Sequence, residues 1–187
     1  WLDEGISQDV MDKYQVKYNP MDNSAVFPIF DNSGNIIAVK RRTLHGNYKE
    51  LGIPKYIYYQ KLGKLDFLYG LSFNKQNIKN ANNCICVESE KSLWKLEGWG
   101  INNVVAVCTH NISDEQINVL LGLCCNITIC FDKDVKLQEI KSICRKLKIF
   151  TNVYVVIDKH GLLADKEAPV DKGKEVFEKL YSERIKL

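Results

Sequence analysis

Four short apolar runs, each followed by a segment of helical period, constrain this chain more than any other feature of it. Residues 84–87, 104–108, 127–131 and 153–157 are apolar or β-branched almost throughout rather than alternating. That is the pattern of strands buried on both faces. Residues 90–97, 114–121, 136–147 and 172–184 read as helices, the second capped by Ser113. Strand alternating with helix predicts a parallel sheet with right-handed crossovers.

The chain before residue 79 reads differently. Residues 6–14 form a short helix with Ser7 as its cap, and 65–73 form another. Two strand-like runs, 25–30 and 36–39, flank Asp31-Asn32-Ser33-Gly34-Asn35, a turn signal that predicts a hairpin. The expected fold class is therefore α/β: a parallel sheet flanked by helices over 79–187, preceded by a smaller, mostly antiparallel α+β subdomain over 1–78.

Of the 187 residues, 45% are hydrophobic and 26% charged, an ordinary globular balance. No apolar stretch approaches the roughly 18 residues of a membrane span, and no signal peptide is read. The chain opens on Trp1 rather than methionine and reads as a piece of something longer. Seven cysteines without a Cys-x2-Cys pair argue against a zinc ribbon and for reduced thiols in a cytoplasm. His45, His110 and His160 fall in separate predicted loops and are not read as metal ligands. Trp94 and Trp99 flank a helix end and are read as core. The net charge of +3 does not by itself call for nucleic acid. Residues 36–64, however, hold Lys40, Arg41, Arg42, Lys49, Lys55, Lys61 and Lys64 against Glu50 alone. The bland reading is a solvated lysine face; the sharper one is a phosphate-attracting groove.

The acidic residues carry the chemistry. Glu88 follows the first apolar run of the parallel unit, and Asp132-Lys133-Asp134 follows the third. Alone, Glu88 is as readily a first-turn glutamate favoured by the helix dipole, and a lone Asp-x-Asp is common in loops. Together at strand ends they are more specific, because ligands of open α/β sheets bind beyond the carboxyl ends of the strands. Three carboxylates gathered there repel one another unless a cation lies between them. Oxygen-only ligands point to Mg²⁺ or Mn²⁺, and so to metal-assisted phosphoryl chemistry.

These residues resemble the catalytic core of the bacterial and phage DnaG-type DNA primases, a basic subdomain followed by a TOPRIM domain, over nearly all of the chain. Gly5-Ile6, Val26-Phe27-Pro28-Ile29 and Asp31-x-x-Gly34 are similar to the family's opening. Arg42 matches the arginine of Gly-Phe-Gly-Gly-Arg-x-Leu, Lys55-Tyr56-Ile57 matches Lys-Tyr-Leu, and Lys64 before Leu68-Tyr69-Gly70-Leu71 matches Lys-Gly-x-x-Leu-Tyr-Gly-Leu. Glu88 matches the TOPRIM glutamate, Gly100 to Ala106 matches Gly-Ile-x-x-Ala-Val-Ala, and Phe131-Asp132-Lys133-Asp134 matches aromatic-Asp-Gly-Asp. The resemblance implies RNA primer synthesis on single-stranded DNA. Glu88, Asp132 and Asp134 would hold Mg²⁺ or Mn²⁺, with Arg42, Lys55, Lys64 and neighbouring Arg41 near nucleotide and template. It implies ribonucleoside triphosphates as substrates and a replicative helicase as partner. The family's zinc-binding and helicase-contacting modules are not read in this chain and are expected elsewhere in the parent protein.

The departures are specific. The family's Glu-Gly-x-x-Asp is Glu88-Ser89-Glu90-Lys91-Ser92, so the second acid is Ser92. Lys133 replaces a glycine between the two aspartates, where partial neutralisation would weaken metal binding. The later Asp-Pro-Asp is at best Glu167-Ala168-Pro169, with Asp171 nearby. Two alternatives follow: a TOPRIM nuclease, which the basic subdomain argues against, and a catalytically degenerate nucleic-acid-binding module, which Ser92 and Lys133 favour. A topoisomerase needs a strand-passage domain that this length does not hold.

Overall fold

The computed structural model describes residues 1–60, 62–109, 111–135 and 137–187, with the side chains of Asp3 and Leu137 outside the description. Lys61, His110 and Lys136 thus lie outside the described residues.

The amino-terminal part opens with the short helix α1 (Gln8–Lys13), whose Ser7 cap accepts from Val10 N–H. Four antiparallel strands follow, β1 (Lys17–Asn19), β2 (Ser24–Phe30), β3 (Ile36–Thr43) and β4 (Tyr56–Tyr58), in the order β1-β2-β3-β4. The β2–β3 hairpin is as expected. Asp31 closes its loop by accepting from the N–H groups of Ser33 and Asn35, and Gly34 takes the left-handed conformation at φ 93°. β1 and β4, three residues each, are too short to show period-2 alternation in the sequence.

Helix α2 (Leu71–Ala81) leads to the second sheet: β5 (Asn83–Val87), α3 (Glu90–Gly98), β6 (Val104–Ala106), α4 (Asp114–Gly122), β7 (Asn126–Cys130), α5 (Leu137–Leu147), β8 (Val153–Val155), α6 (Lys174–Ser182) and β9 (Ile185–Lys186). The strand order is β6-β5-β7-β8-β9, with β5–β6, β5–β7 and β7–β8 parallel. Ser113 forms a full capping box with Gln116 at the start of α4.

Both faces of this sheet are covered, which is why its strands read as unbroken apolar runs. Ile85 and Val87 pack with Leu93 and Trp94 of α3, Phe177 and Leu180 of α6, and Phe27 and Ile29 of β2. The alternate residues Cys84 and Cys86 pack with Ile117 and Leu120 of α4 and Ile140 and Ile143 of α5. The cysteines of β5 are thus small core residues, and all seven cysteines are free. Trp94 is fully buried, 4.9 Å from the Phe27 ring and 5.3 Å from Trp1. Among the described residues no helix is long and apolar enough to cross a membrane.

Four expectations change, one of them that the strand expected to reach Ile157 stops at Val155. Residues 65–69 are not helical. Tyr69 instead forms an antiparallel bridge to Ala106, with both backbone hydrogen bonds at 2.9 Å, and covers the open edge of β6. Gly70, at φ 86°, then turns the chain into α2. A Cβ there would stand 2.6 Å from Leu93 Cδ1 and 3.0 Å from the Tyr14 hydroxyl, so the close approach as well as the dihedral requires glycine. The strand expected to reach Cys108 stops at Ala106, two residues short of the left-handed Cys108 at φ 61°. The last helix ends at Ser182 rather than 184, and Ile185–Lys186 returns antiparallel against β8.

A buried network ties α1, α2 and α3 together. Glu97 accepts from Lys13 Nζ at 2.7 Å, Tyr14 Oη at 2.6 Å and Asn74 Nδ2 at 2.6 Å, and Asn74 Nδ2 also donates to the Val104 carbonyl at 2.9 Å. Burial, with Glu97 alongside, pushes the Tyr14 phenol far up, so it remains a donor. Glu97→Ala would leave the buried Tyr14 hydroxyl without its acceptor, while Lys13 keeps Asn74 Oδ1 and Asn74 Nδ2 keeps the Val104 carbonyl. It is expected to cost about 1–3 kcal/mol, read as a lower urea midpoint at unchanged slope.

Candidate active site

The second sheet changes direction at β5. The chain passes from β5 to β6 on one side and then crosses to β7 on the other. Helices α3 and α4 therefore leave on opposite faces, and a crevice opens beyond the carboxyl ends of β5 and β7. In-register pairing of Val87 with Cys130 brings these two strand ends level. Glu88 emerges from the first, and Asp132 and Asp134 from the tip after the second. All three line one cleft of about 620 Å³.

The sequence sets Glu88 in place. Its carbonyl accepts from Cys108 N–H at 2.8 Å, continuing the β5–β6 ladder by one residue. Ser89, next along, is the N-cap of α3: its Oγ accepts from Ser92 N–H at 3.2 Å and lies 2.9 Å from Ser92 Oγ. The first-turn glutamate is Glu90, not Glu88. Burial first, and the charge of Asp134 second, push the Glu88 carboxyl up from 4.5 to about 7. Asp132 is half-buried and Asp134 exposed.

Lys133 does not neutralise its two neighbours. Its ammonium donates to Asp158 Oδ2 at 3.2 Å and to the Leu163 carbonyl. Burial alone would raise the Asp158 carboxyl. Hydrogen bonds from Leu163 and Leu162 N–H and from Lys133 outweigh it and hold the carboxyl at about 2. The Lys133 backbone N–H donates to the Glu167 carbonyl at 3.1 Å. The acidic tip is thus bolted to the loop after β8.

The opposite wall comes from the first sheet. Arg42 and Lys55 line the cleft, as does Lys40. Alternation along β3 sends Arg41 the other way, where its guanidinium pairs with Asp22. Lys64 is exposed, and like Arg41 it is not among the cleft-lining residues. Sequence reasoning singled out neither Glu90 nor Lys40 as a site residue, yet they form a buried ion pair at 2.8 Å in the cleft floor. Desolvation opposes the charge on Lys40, but Glu90 beside it prevails and holds the ammonium firmly protonated. Asp171, noted in the sequence only as a neighbour, lines the cleft and accepts from Lys95 at 2.7 Å. The signal for such pairs is spatial; no spacing in the sequence carries it. His45 lies on an adjoining pocket, and His160 pairs with Glu183 at 2.7 Å.

The donor set of the acidic wall suits a hard divalent cation in kind. It offers carboxylate oxygens only, past strand ends, with one carboxyl lifted by burial and then by a neighbouring charge. Among the described residues, no three such side chains are already gathered closely enough to hold a metal ion.

Comparison with known proteins gives these features a context. No family model matches the chain. A SPβ prophage-derived uncharacterized protein, YorJ, of Bacillus subtilis strain 168 is 31% identical over 216 aligned positions, covering all of this chain and 57% of that protein. A DNA primase of Staphylococcus aureus is 30% identical over 142 positions, covering 74% of this chain but 23% of the primase. This chain therefore spans between about a quarter and about half of the relatives it matches. Among solved structures, the zinc-binding and RNA polymerase domains of the Aquifex aeolicus primase superpose with a TM-score of 0.80 at 24% identity, covering 100% of this chain and 55% of that one. A DnaG primase catalytic domain bound to single-stranded DNA gives 0.78 at 21%, covering 99% and 72%. The mixed antiparallel and parallel architecture, with its cleft at the β5/β7 strand ends, is the fold of the DnaG-type primase catalytic core.

Proposed function

We propose that this chain is the nucleotidyl-transfer core of a primase-like protein, joining ribonucleotides on a single-stranded DNA template. The observation that carries the reading is the cleft itself. An acidic wall (Glu88, Asp132, Asp134) at the switch point of a parallel sheet faces a cationic wall (Arg42, Lys55) from the antiparallel sheet. The likeness to primases, one of them bound to single-stranded DNA, supports the same reading.

Glu88, Asp132 and Asp134 would hold Mg²⁺ or Mn²⁺. When bound, such ions acidify the primer 3′-hydroxyl and neutralise the triphosphate and leaving pyrophosphate. Arg42 and Lys55 would take phosphate oxygens of nucleotide or template across the cleft. Exposed Lys64 is available to a strand outside the cleft, whereas Arg41 is committed to Asp22. Glu88, lifted to about 7, is half protonated near neutrality and becomes a full ligand only as its proton leaves. A replicative helicase would be met through segments of the longer protein, in the cytoplasm of a bacterial or phage-infected cell. One observation favours a second reading, a degenerate module that binds single strands without catalysis: Ser92 stands where the family carries its second acid and is occupied with Ser89.

Asp132→Ala is expected to lower Mn²⁺-dependent ribonucleotide incorporation on a single-stranded oligonucleotide by on the order of a hundredfold or more, the scale for losing one preorganised charge-stabilising group. Oligonucleotide affinity should stay within about twofold. Synthesis that survives Asp132→Ala would remove the metal site from these residues. Oligonucleotide binding indifferent to divalent ions, without synthesis, would establish the binding module instead.

Glu88 also predicts a pH dependence of stability. Its carboxyl is raised on folding, so the native state holds a proton that the unfolded chain has released, and the wild type loses stability as pH rises. The advantage of Glu88→Gln in metal-free buffer should therefore grow from about pH 4.5 to about pH 7 and level off above. Thermal unfolding of both proteins across this range, in EDTA, measures it. An advantage independent of pH would mean that Glu88 is not strained by Asp134 and burial.

A further inference from the structure

The acids of the cleft are fixed to strand ends, but the cations facing them hang on long side chains. An uncommitted arginine in such a cleft would be drawn onto the carboxylates opposite. Of the basic side chains that line the cleft, Lys40 is held by Glu90 and Lys91 by Glu4, and around it Arg41 is held by Asp22, Lys95 by Asp171 and Lys133 by Asp158. Arg42 is held by rings. Its guanidinium lies 5.4 Å from the Trp1 ring centroid and 5.8 Å from that of Tyr56, and its buried Nη1 has no acceptor among the described residues.

The Tyr56 ring is the common element. Tyr56 pairs directly across the ladder with Arg42, and Lys40 lies two residues before Arg42 on the same face of β3. Lys40 Nζ stands 4.5 Å from the Tyr56 centroid and Lys55 Nζ 5.7 Å. Three cations that would otherwise repel one another thus share one ring, and Glu90, bonded to Lys40, supplies the nearby negative charge. Arg42 and Lys55 also line the adjoining pocket with Trp1, His45 and Tyr48, so this cationic wall stands between two cavities.

We propose that Tyr56 is a positioning residue of this site: its ring face, together with that of Trp1, holds the guanidinium away from the acidic wall with its donors directed at an incoming phosphate. A planar cation restrained against ring faces loses little freedom on taking up a phosphate, so the stack is worth affinity rather than chemistry. This rests on the polymerase reading above, and the test separates the two.

The measurement is KM and kcat for ribonucleotide incorporation with Mn²⁺ on a single-stranded oligonucleotide, alongside oligonucleotide affinity in EDTA. The wild type is compared with Tyr56→Leu and Tyr56→Phe, with unfolding midpoints recorded for all three. Tyr56→Leu should raise KM by about tenfold, the worth of one charge-assisted contact. Its kcat should stay within about twofold of wild type. Tyr56→Phe, which keeps the ring, should recover most of the loss; a phenylalanine as impaired as leucine would overturn the proposal, as would an unchanged KM in Tyr56→Leu. If leucine prevents folding, Tyr56→Gln, flat and of similar reach but without a π face, takes its place with the same expected result. A wild type that binds oligonucleotide but makes no product ends the polymerase reading alone. The stack is then judged by affinity: weaker in leucine and restored in phenylalanine supports it, and equal in all three overturns it. A wild type that neither binds nor synthesises overturns both.

Discussion

Parallel pairing of β5 with β7 is the constraint on which the rest of this molecule depends. Their register, Asn83 opposite Asn126 through Val87 opposite Cys130, levels the two strand ends. Because β5 is the point where the sheet reverses, no helix closes over those ends. Apart from Thr128, whose hydroxyl is satisfied by Asn83, burial on both faces leaves nothing polar in β5 and β7 except at their tips. Whatever this sheet offers to a ligand must therefore come from residues just past Val87 and Cys130, and those are carboxylates. Placing a carboxylate there has a cost, visible in the Glu88 carboxyl, which burial first and Asp134 second displace to about 7. A cationic wall that the antiparallel unit brings lines the same cleft.

The way the charges are committed explains how opposite walls coexist across a narrow gap. Unit charges a few ångströms apart interact by about 4 kcal/mol at an intermediate dielectric, more than enough to collapse mobile side chains onto one another. Here the acids inside the floor and rim are matched locally, Glu90 with Lys40 and Asp171 with Lys95. Lys133, which separates the two aspartates in sequence, turns away to Asp158. Of the cations that line the cleft, Arg42 and Lys55 stand against an aromatic ring. Pairing and stacking thus restrain the side chains of both walls.

The sequence made the strands of the parallel sheet legible because burial on both faces writes an uninterrupted apolar run, and Ser7 and Ser113 were legible because a cap is a local hydrogen bond. The hairpin around Asp31 and Gly34 was legible for the same reason. Residues 65–69 were misread as helix because Tyr69 takes its hydrogen bonds from Ala106, a partner far along the chain that no local pattern announces. β9 escaped because two residues carry no period. At the site, Glu88, Asp132 and Asp134 could be read from their places after strands. Arg41 and Arg42 could not be told apart until β3 was known to run through both, sending one to Asp22 and the other to the cleft. The Lys40–Glu90 pair joins residues whose only relation is spatial, and it was invisible for that reason.

The departures from the primase pattern bear unequally on the cleft. Lys133 stands where a glycine is usual, but it is not among the residues of positive φ, so the backbone of this tip does not need glycine. Its side chain brings a second tether to the tip and leaves the aspartates their charge. That replacement exchanges flexibility for anchorage. Ser92 is different in kind, since a hydroxyl already engaged with Ser89 contributes no charge where the family has a carboxylate. Asp171 does not make up the loss while Lys95 holds it at 2.7 Å. The acidic wall is accordingly firmer at the Asp132–Asp134 tip and poorer in charge at the start of α3. A cation shared between them would be held chiefly from the β7 side and would compete with a proton for Glu88.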